Sequence, residues 1–466
     1  MHRFVLAAAL ALALSSAASA QTAAAPAPAE PIAAKPADTK AADTKAADAK
    51  AAEQSSLKSG DAGDAALDEV TGHTDSGPQL KLYGFADFTY QRYLFDTQSG
   101  WAKYNIFENN GSLAVGKINL FLDGQLSQRA RSLIEIRFSY VPNGTGSQLT
   151  STGTQKVSTQ VNDPTESNAY VSWGSILIER AWVEYAFSDL FTLRAGQFLT
   201  PVGIWNVDHA SVALIDANQP YAITQQLFPR SQVGFEGYGS RYFGDTRLGW
   251  HLTVSNGRIE SYNNDYNGHV PQYVDFDHRL GVGGRVFMET RGSLGELKVG
   301  GSFYTGRYTE RNEGNGATGP FNNLIQQYDE LSLGADVRWE YKSFLLQGEA
   351  LYHDVKYTDD GRAAFAAFLG RPTYSDYTAS GWYVLGGYRL PWYNIMPFGM
   401  FQHLTPNDTQ ERIELYVVNL GVNVRVLPNL VVKGSVGLPW WPKAPANDNI
   451  YGAQLITLQS QIAWAF

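Results

Sequence analysis

Cysteine is absent from all 466 residues, which excludes disulfides, a thiolate metal site and a lipid-modified N-terminal cysteine. Also missing is any apolar run long enough to cross a bilayer as a helix, which takes about 20 residues. The longest such run, Phe4 to Leu14, follows His2 and Arg3 and leads into Ala18-Ser19-Ala20. A basic start, a short apolar middle and a small-residue end are the order of a secretory signal peptide, with cleavage expected after Ala20. If such a chain enters a membrane, a closed barrel is the only other way to satisfy its backbone groups in lipid.

An excess of positive charge is missing too. The formal charge is −9, which argues against a nucleic-acid partner on bulk electrostatics. No P-loop, dinucleotide fingerprint or His-Glu-x-x-His motif occurs, so the sequence points to no cofactor and no metal. Residues 21–79 lack Phe, Tyr and Trp, and carry the degenerate repeat "KPADT KAADT KAADA KAAEQ" from Lys35. A period of five builds no single apolar helix face, and too little apolar surface is present to offset ordering entropy. This stretch is expected to be a disordered, solvated periplasmic spacer.

From residue 80 onward the character changes. Of 60 aromatic residues, all but Phe4 lie here, and the dominant pattern alternates with period two. "LSLGADVRWEY" puts Leu331, Leu333, Ala335, Val337, Trp339 and Tyr341 on one face, and Asp336, Arg338 and Glu340 on the other. Sixteen such segments are expected between residues 81 and 466. Tight connections such as 188–190, 244–245, 342–343 and 428–429 alternate with long polar ones at 96–112, 142–174, 200–230, 259–277, 309–327, 358–378 and 440–451. An even strand count with connections sorted by parity predicts an all-β fold, a transmembrane antiparallel barrel of the bacterial outer membrane, over 80–466. The sequence closes on "LITLQSQIAWAF". Its last strand is expected to pair with the first, with Ile462, Trp464 and Phe466 facing lipid and presenting a signal to the barrel insertion machinery.

Sixteen strands leave a lumen wide enough for water. The alternation turns basic Lys117, Arg137, Arg180, Arg194, Arg247 and Arg285 inward, together with Lys298, Arg338, Arg389, Arg425 and Lys433. Asp123, Glu135 and Glu184 face the same way, with Asp87, Glu236, Glu296, Asp336, Glu340 and Glu349. Near balance argues against steep selectivity from the wall alone. Lys117, Arg137, Arg180 and Arg194 on neighbouring strands make either a basic stripe or one side of cross-strand salt bridges to Asp123, Glu135 and Glu184. The connection 200–230 is long and rather apolar, with Asp208, His209, Asp216 and Arg230 as its titratable members. An apolar loop there is expected to fold into the lumen as a constriction.

The stretch "ERAWVEYAFSDLFTLRAGQFLTPVGIW" (179–205), with its Arg-Ala-Gly-Gln-Phe and Pro-Val-Gly runs, resembles the phosphate-selective O/P-type porins of Gram-negative outer membranes. The resemblance implies a sixteen-stranded barrel, a homotrimer, and a third extracellular loop folded inward. Family members that take up phosphate line their pores with many arginines and lysines; no such ladder is matched here. The expected function is passive diffusion of small polar solutes and ions, with at most mild anion preference. Two other readings follow from single features. "DHAS" supplies His209 and Ser211 at the spacing of outer-membrane phospholipases, and the polar loop 143–174 suits surface recognition without conductance.

Overall fold

The computed structural model describes residues 78–95, 111–139, 145–150, 153–158, 175–225, 227–260, 269–271, 279–312, 323–369, 375–392, 394–445, 448 and 451–466. The signal-peptide and spacer expectations, and all but a short hairpin of the loop 143–174, lie outside the described residues.

The alternating segments form sixteen barrel strands: β1 Gln79–Phe95, β2 Ser112–Gln125, β3 Ala130–Ser139, β4 Ser175–Ser188, β5 Phe191–Leu199, β6 Ser231–Phe243, β7 Thr246–Ser255 and β8 Gly281–Gly292. β9 Gly295–Asn312, β10 Asn323–Tyr341, β11 Phe344–Tyr357, β12 Tyr377–Tyr388, β13 Ile395–Thr405, β14 Leu415–Leu427, β15 Leu430–Trp440 and β16 Leu455–Ala465 complete the set. Each pairs antiparallel with the next in sequence. β16 pairs with β1 from Phe85↔Ala465 to Phe95↔Leu455, which closes the sheet. Closure matters because an open strand edge leaves backbone donors and acceptors unmatched in lipid, at several kcal/mol each. Among the described residues no helix is long and apolar enough to cross a membrane.

Five two-residue turns, with longer ones at 126–129 and 389–394, close the short end of the barrel. In the β10–β11 turn Lys342 adopts φ 54°, the left-handed geometry that matches strand twist in tight hairpins. The long connections carry structure that period-two reasoning did not foresee. A hairpin pairs Thr145–Thr150 with Gly153–Ser158, and Arg258–Glu260 pairs with His269–Pro271. An eleven-residue helix, α1 (Asp359–Leu369), lies in the β11–β12 connection. The paired runs hold too few residues for a periodicity to emerge, whereas Asp359–Leu369 carries Phe365, Phe368 and Leu369 at helical spacing within a connection expected to be polar.

The two faces differ as a membrane barrel requires. Leu82, Ile134, Phe235, Leu252, Val286, Leu333, Val384 and Leu420 are exposed on the outer face. Glu135, Glu236, Asp336, Glu349 and Lys433 are buried on the inner one. Basic groups on a lipid-facing strand cost about 2–4 kcal/mol at mid-bilayer, which fixes the direction of the alternation. Ile462 (43% exposed), Trp464 (37%) and Phe466 (56%) stand on the outer face.

The inner face departs from simple polarity. β11 to β14 turn Leu345, Leu351, Leu385, Met396, Phe398, Met400, Leu404, Leu415 and Val417 inward, all buried. Much of the inner face of these strands is apolar as well as the outer, with Glu349, Gln402, Asn419 and Asn423 set among the apolar residues, and what covers that side is the connection between β5 and β6.

Candidate functional site

The chain leaves β5 at Leu199 and returns at Ser231, having crossed the lumen. Its neck is stapled. The Thr200 amide donates to the Arg230 carbonyl at 3.0 Å, and Asn206 Nδ2 donates to the carbonyls of Thr200 (2.7 Å) and Arg230 (3.0 Å). Gln232 Nε2 donates to Thr200 Oγ1 at 3.0 Å, and that hydroxyl donates to the Pro229 carbonyl.

Beyond the neck, the loop is fastened to strands around the barrel. The Trp205 amide donates to Glu349 Oε1 on β11 at 3.0 Å, an oxygen that also accepts from Tyr383 Oη at 2.6 Å. Arg285 on β8 donates to the Gly203 carbonyl at 3.0 Å and to Asp336 at 2.7 Å. Gly203 lies at φ +65°, and a Cβ there would sit 1.8 Å from Glu349 Oε2. Glycine alone suits both the left-handed backbone and the approach. Further along, the Ser211 hydroxyl donates to Asp87 Oδ2 at 2.5 Å, and its carbonyl accepts from Lys433 Nζ at 2.5 Å. The Val212 carbonyl accepts from Arg425 Nη2 at 3.2 Å, while Nη1 of the same guanidinium donates to the Pro428 carbonyl at 2.8 Å. Pro428 belongs to a short turn, so the loop descends to the periplasmic end beside β14.

It then climbs back. Asn423 donates to the Ile215 carbonyl at 2.9 Å. Asp216, fully buried, accepts from Asn419 Nδ2 (2.9 Å) and Ser435 Oγ (2.7 Å). The Tyr221 amide donates to Gln402 Oε1 at 2.9 Å, and Ser332 Oγ to the Leu227 carbonyl at 2.6 Å. Val202, Trp205, Ile215, Ile223, Leu227 and Phe228 fill the groove against the apolar inner faces of β11–β14.

The opposite side of the lumen is ionic. β4 bulges against β3, with Glu135↔Arg180 followed by Ile136↔Ile178. The skipped residue, Glu179, is buried alongside its neighbour. Glu179 Oε1 accepts from Arg137 (3.1 Å) and from Arg230 of the loop (2.5 Å). Glu135 accepts from Arg180 Nε at 2.5 Å and Asn119 at 2.5 Å. His209 Nε2 sits 3.0 Å from Glu135 Oε1 and 3.5 Å from Glu179 Oε2. Arg194 bonds Glu184 (2.8 Å) and Glu236 (2.9 Å), with its guanidinium 4.1 Å from the Trp182 ring centre. Asp123 pairs with Arg131 at 2.7 Å. Arg247 approaches Glu289 at 3.7 Å. Lys117 faces inward, half-buried, with no carboxylate within 4.0 Å among the described residues. Asp208 is half-buried, its amide bonded to the Ile204 carbonyl at 2.8 Å.

Three of the four basic-stripe residues are therefore ion-paired. Arg180 and Arg194 meet Glu135 and Glu184; Arg137 takes Glu179, and Asp123 takes Arg131. Glu179 was not among the residues that strict alternation turns inward. The signal was nonetheless in "ERAW": adjacent Glu179 and Arg180 cannot both avoid lipid on a regular strand, and a bulge puts both inside. Arg258, buried with Glu330 at 2.5 Å, escaped because strict alternation from Leu248, Trp250, Leu252 and Val254 puts it on the outward face, whereas the chain breaks after Ser255 and resumes as the short strand Arg258–Glu260.

Ligand atoms of Glu135, Glu179 and His209 lie within 4.8 Å of one another. Arg137, Arg180 and Arg230 already engage both carboxylates, so the set is charge-compensated and poorly suited to a cation. His209 and Ser211 form no nucleophile–base pair: the imidazole turns to Glu135 and the hydroxyl proton to Asp87. The phospholipase reading of "DHAS" fails on this geometry.

Burial opposes the charged form of His209, but the carboxylates of Glu135 and Glu179 outweigh it and raise its pKa above 6.5. A raised histidine pKa contributes stability fully below the unfolded value and loses it as pH climbs through the folded one. Hydrogen exchange of loop amides 207–214 is therefore expected to speed up as pH rises from about 6.5, after correction for intrinsic exchange. In His209→Gln that added dependence should vanish; the same pH profile in both proteins would contradict the clasp.

A closed, lipid-facing barrel whose lumen is spanned by a wall-anchored loop is the architecture of an outer-membrane channel. The family model of phosphate-selective porin O and P matches residues 148–424, and the chain belongs to that family. Solved structures of similar fold include an anion-selective porin from Comamonas acidovorans, 10% identical, with 84% of this chain and 100% of that one covered at a TM-score of 0.48. Others are the outer-membrane channel DcaP of Acinetobacter baumannii (10% identity, 84% and 98% covered, TM-score 0.45) and a trimer form of OmpT of Vibrio cholerae (8%, 83% and 100%, 0.46). No curated protein matches the sequence.

Proposed function

We propose that this porin is a passive, water-filled diffusion channel for small polar solutes and ions with a mild preference for small anions such as phosphate. The observation that carries the reading is the loop fastened across the lumen between an apolar wall and an ionic one. At the level of the loop, Lys117, Arg137, Arg180, Arg230, Arg285, Arg425 and Lys433 are balanced by Asp87, Glu135, Glu179, Asp208, Asp216, Asp336 and Glu349, with the basic groups gathered towards β1–β4 and β14–β15. Most of the basic groups are hydrogen-bonded to carboxylates or carbonyls, so the field they offer a passing ion is partly cancelled, which supports weak rather than steep selectivity.

Removal of the signal would leave the spacer in the periplasm. Ile462, Trp464 and Phe466 serve as the rim signal read by the insertion machinery, and family resemblance supports a homotrimer. The test of selectivity is the reversal potential across a KCl gradient. A small anion-directed value is expected, decreasing at high salt as screening shortens from about 10 Å at 0.1 M to about 3 Å at 1 M. A cation-directed value would overturn the anion preference.

A further inference from the structure

We propose that Glu179 is a selectivity-determining residue of the constriction, holding anion preference down by neutralising Arg137 on the wall and Arg230 on the loop. This rests on the channel reading above. The bulge in β4 sends the Glu179 side chain inward beside Arg180, and only 3% of that side chain remains accessible. One oxygen, Oε1, receives Arg137 Nη1 (3.1 Å) and Arg230 Nη2 (2.5 Å). The other, Oε2, receives Asn119 Nδ2 at 2.9 Å and lies 3.5 Å from His209 Nε2. One carboxylate thus gathers groups from β2, β3, the loop's neck and its descending part.

Within this cluster Arg137, Arg180 and Arg230 face Glu135 and Glu179. Loss of the Glu179 charge leaves three guanidiniums against one carboxylate, in a narrow, low-dielectric place where fields are focused and poorly screened. The wall elsewhere behaves differently. Arg194 has two carboxylate partners, Glu184 and Glu236, and lies between the rings of Trp182 and Tyr238. Neutralising Glu184 still leaves that guanidinium a counter-charge.

The experiment measures reversal potentials of purified, full-length protein in a KCl gradient. Glu179→Gln is expected to raise the chloride-to-potassium permeability ratio by about threefold or more. Glu135→Gln, which removes the carboxylate that Arg180 meets at 2.5 Å, should move it the same way, and Glu184→Gln less. Arg230→Gln in the Glu179→Gln background should bring the ratio back toward wild type. If Glu179→Gln does not fold, the charge-balanced double variant and Arg230→Gln alone carry the test, the latter with a cation-directed shift expected. An unchanged ratio with altered conductance or open time would overturn the proposal and leave Glu179 as a loop anchor. Wild-type protein without current steps would instead contradict the channel reading itself.

Discussion

Replacing residues 207–219 with a short Gly-Ser linker is expected to raise single-channel conductance several-fold while the barrel still folds. The neck through Thr200, Asn206, Arg230 and Gln232 is retained. So is the upper packing of Trp205, Ile223 and Phe228 on β11–β14. What goes is the segment that descends to Arg425 and Lys433 near the periplasmic end and turns back past Asn423 and Asn419. Its main apolar anchor is Ile215, whose burial contributes about 1.5–3 kcal/mol. That loss is small beside the closed backbone ladder of sixteen strands, so the variant should still migrate as a folded, heat-modifiable barrel. An unchanged conductance would mean that the segment does not restrict the path of ions.

The second large effect lies at the seam. Gly84 exchanges two backbone hydrogen bonds with Phe466, at 2.9 and 3.0 Å. A Cβ at this position would lie 2.3 Å from the Asn119 carbonyl and 2.9 Å from the Phe466 ring. Gly84→Val therefore pushes β1 away from β2 and from the strand that closes the barrel. Overpacking of a tight site costs about 1–3 kcal/mol, and each backbone group parted in lipid adds several more. The yield of heat-modifiable barrel should fall to a small fraction of wild type. Phe466→Ala, which keeps the backbone pairing, should fold once refolded in detergent. Normal folding of Gly84→Val would show that the seam tolerates a side chain.

Much of this architecture is legible in the sequence because a membrane barrel repeats two rules: alternate residues face lipid, and connections sort by length. Asp336, Arg338 and Glu340 of β10 followed the alternation. The inner apolar surface did not. Met396, Phe398 and Met400 sit between outward-facing Pro397, Gly399 and Phe401, so over most of β13 only Gln402 marks the inward face, which cannot be read until its partner loop is known. Glu179 escaped for the opposite reason: one extra residue reverses the phase of every side chain before it. The loop's inward fold was foreseeable from its composition, whereas its anchors on Glu349, Asn419 and Asp87 pair residues 144, 203 and 124 positions apart, a separation at which local pattern carries no information.

The most direct test is to record current from purified wild-type protein in a planar bilayer. Discrete ohmic steps, scaling with KCl concentration and enlarged by replacement of 207–219, are the expected result. A folded, heat-modifiable barrel that gives no steps with the loop present or removed would contradict an open channel narrowed by its own loop.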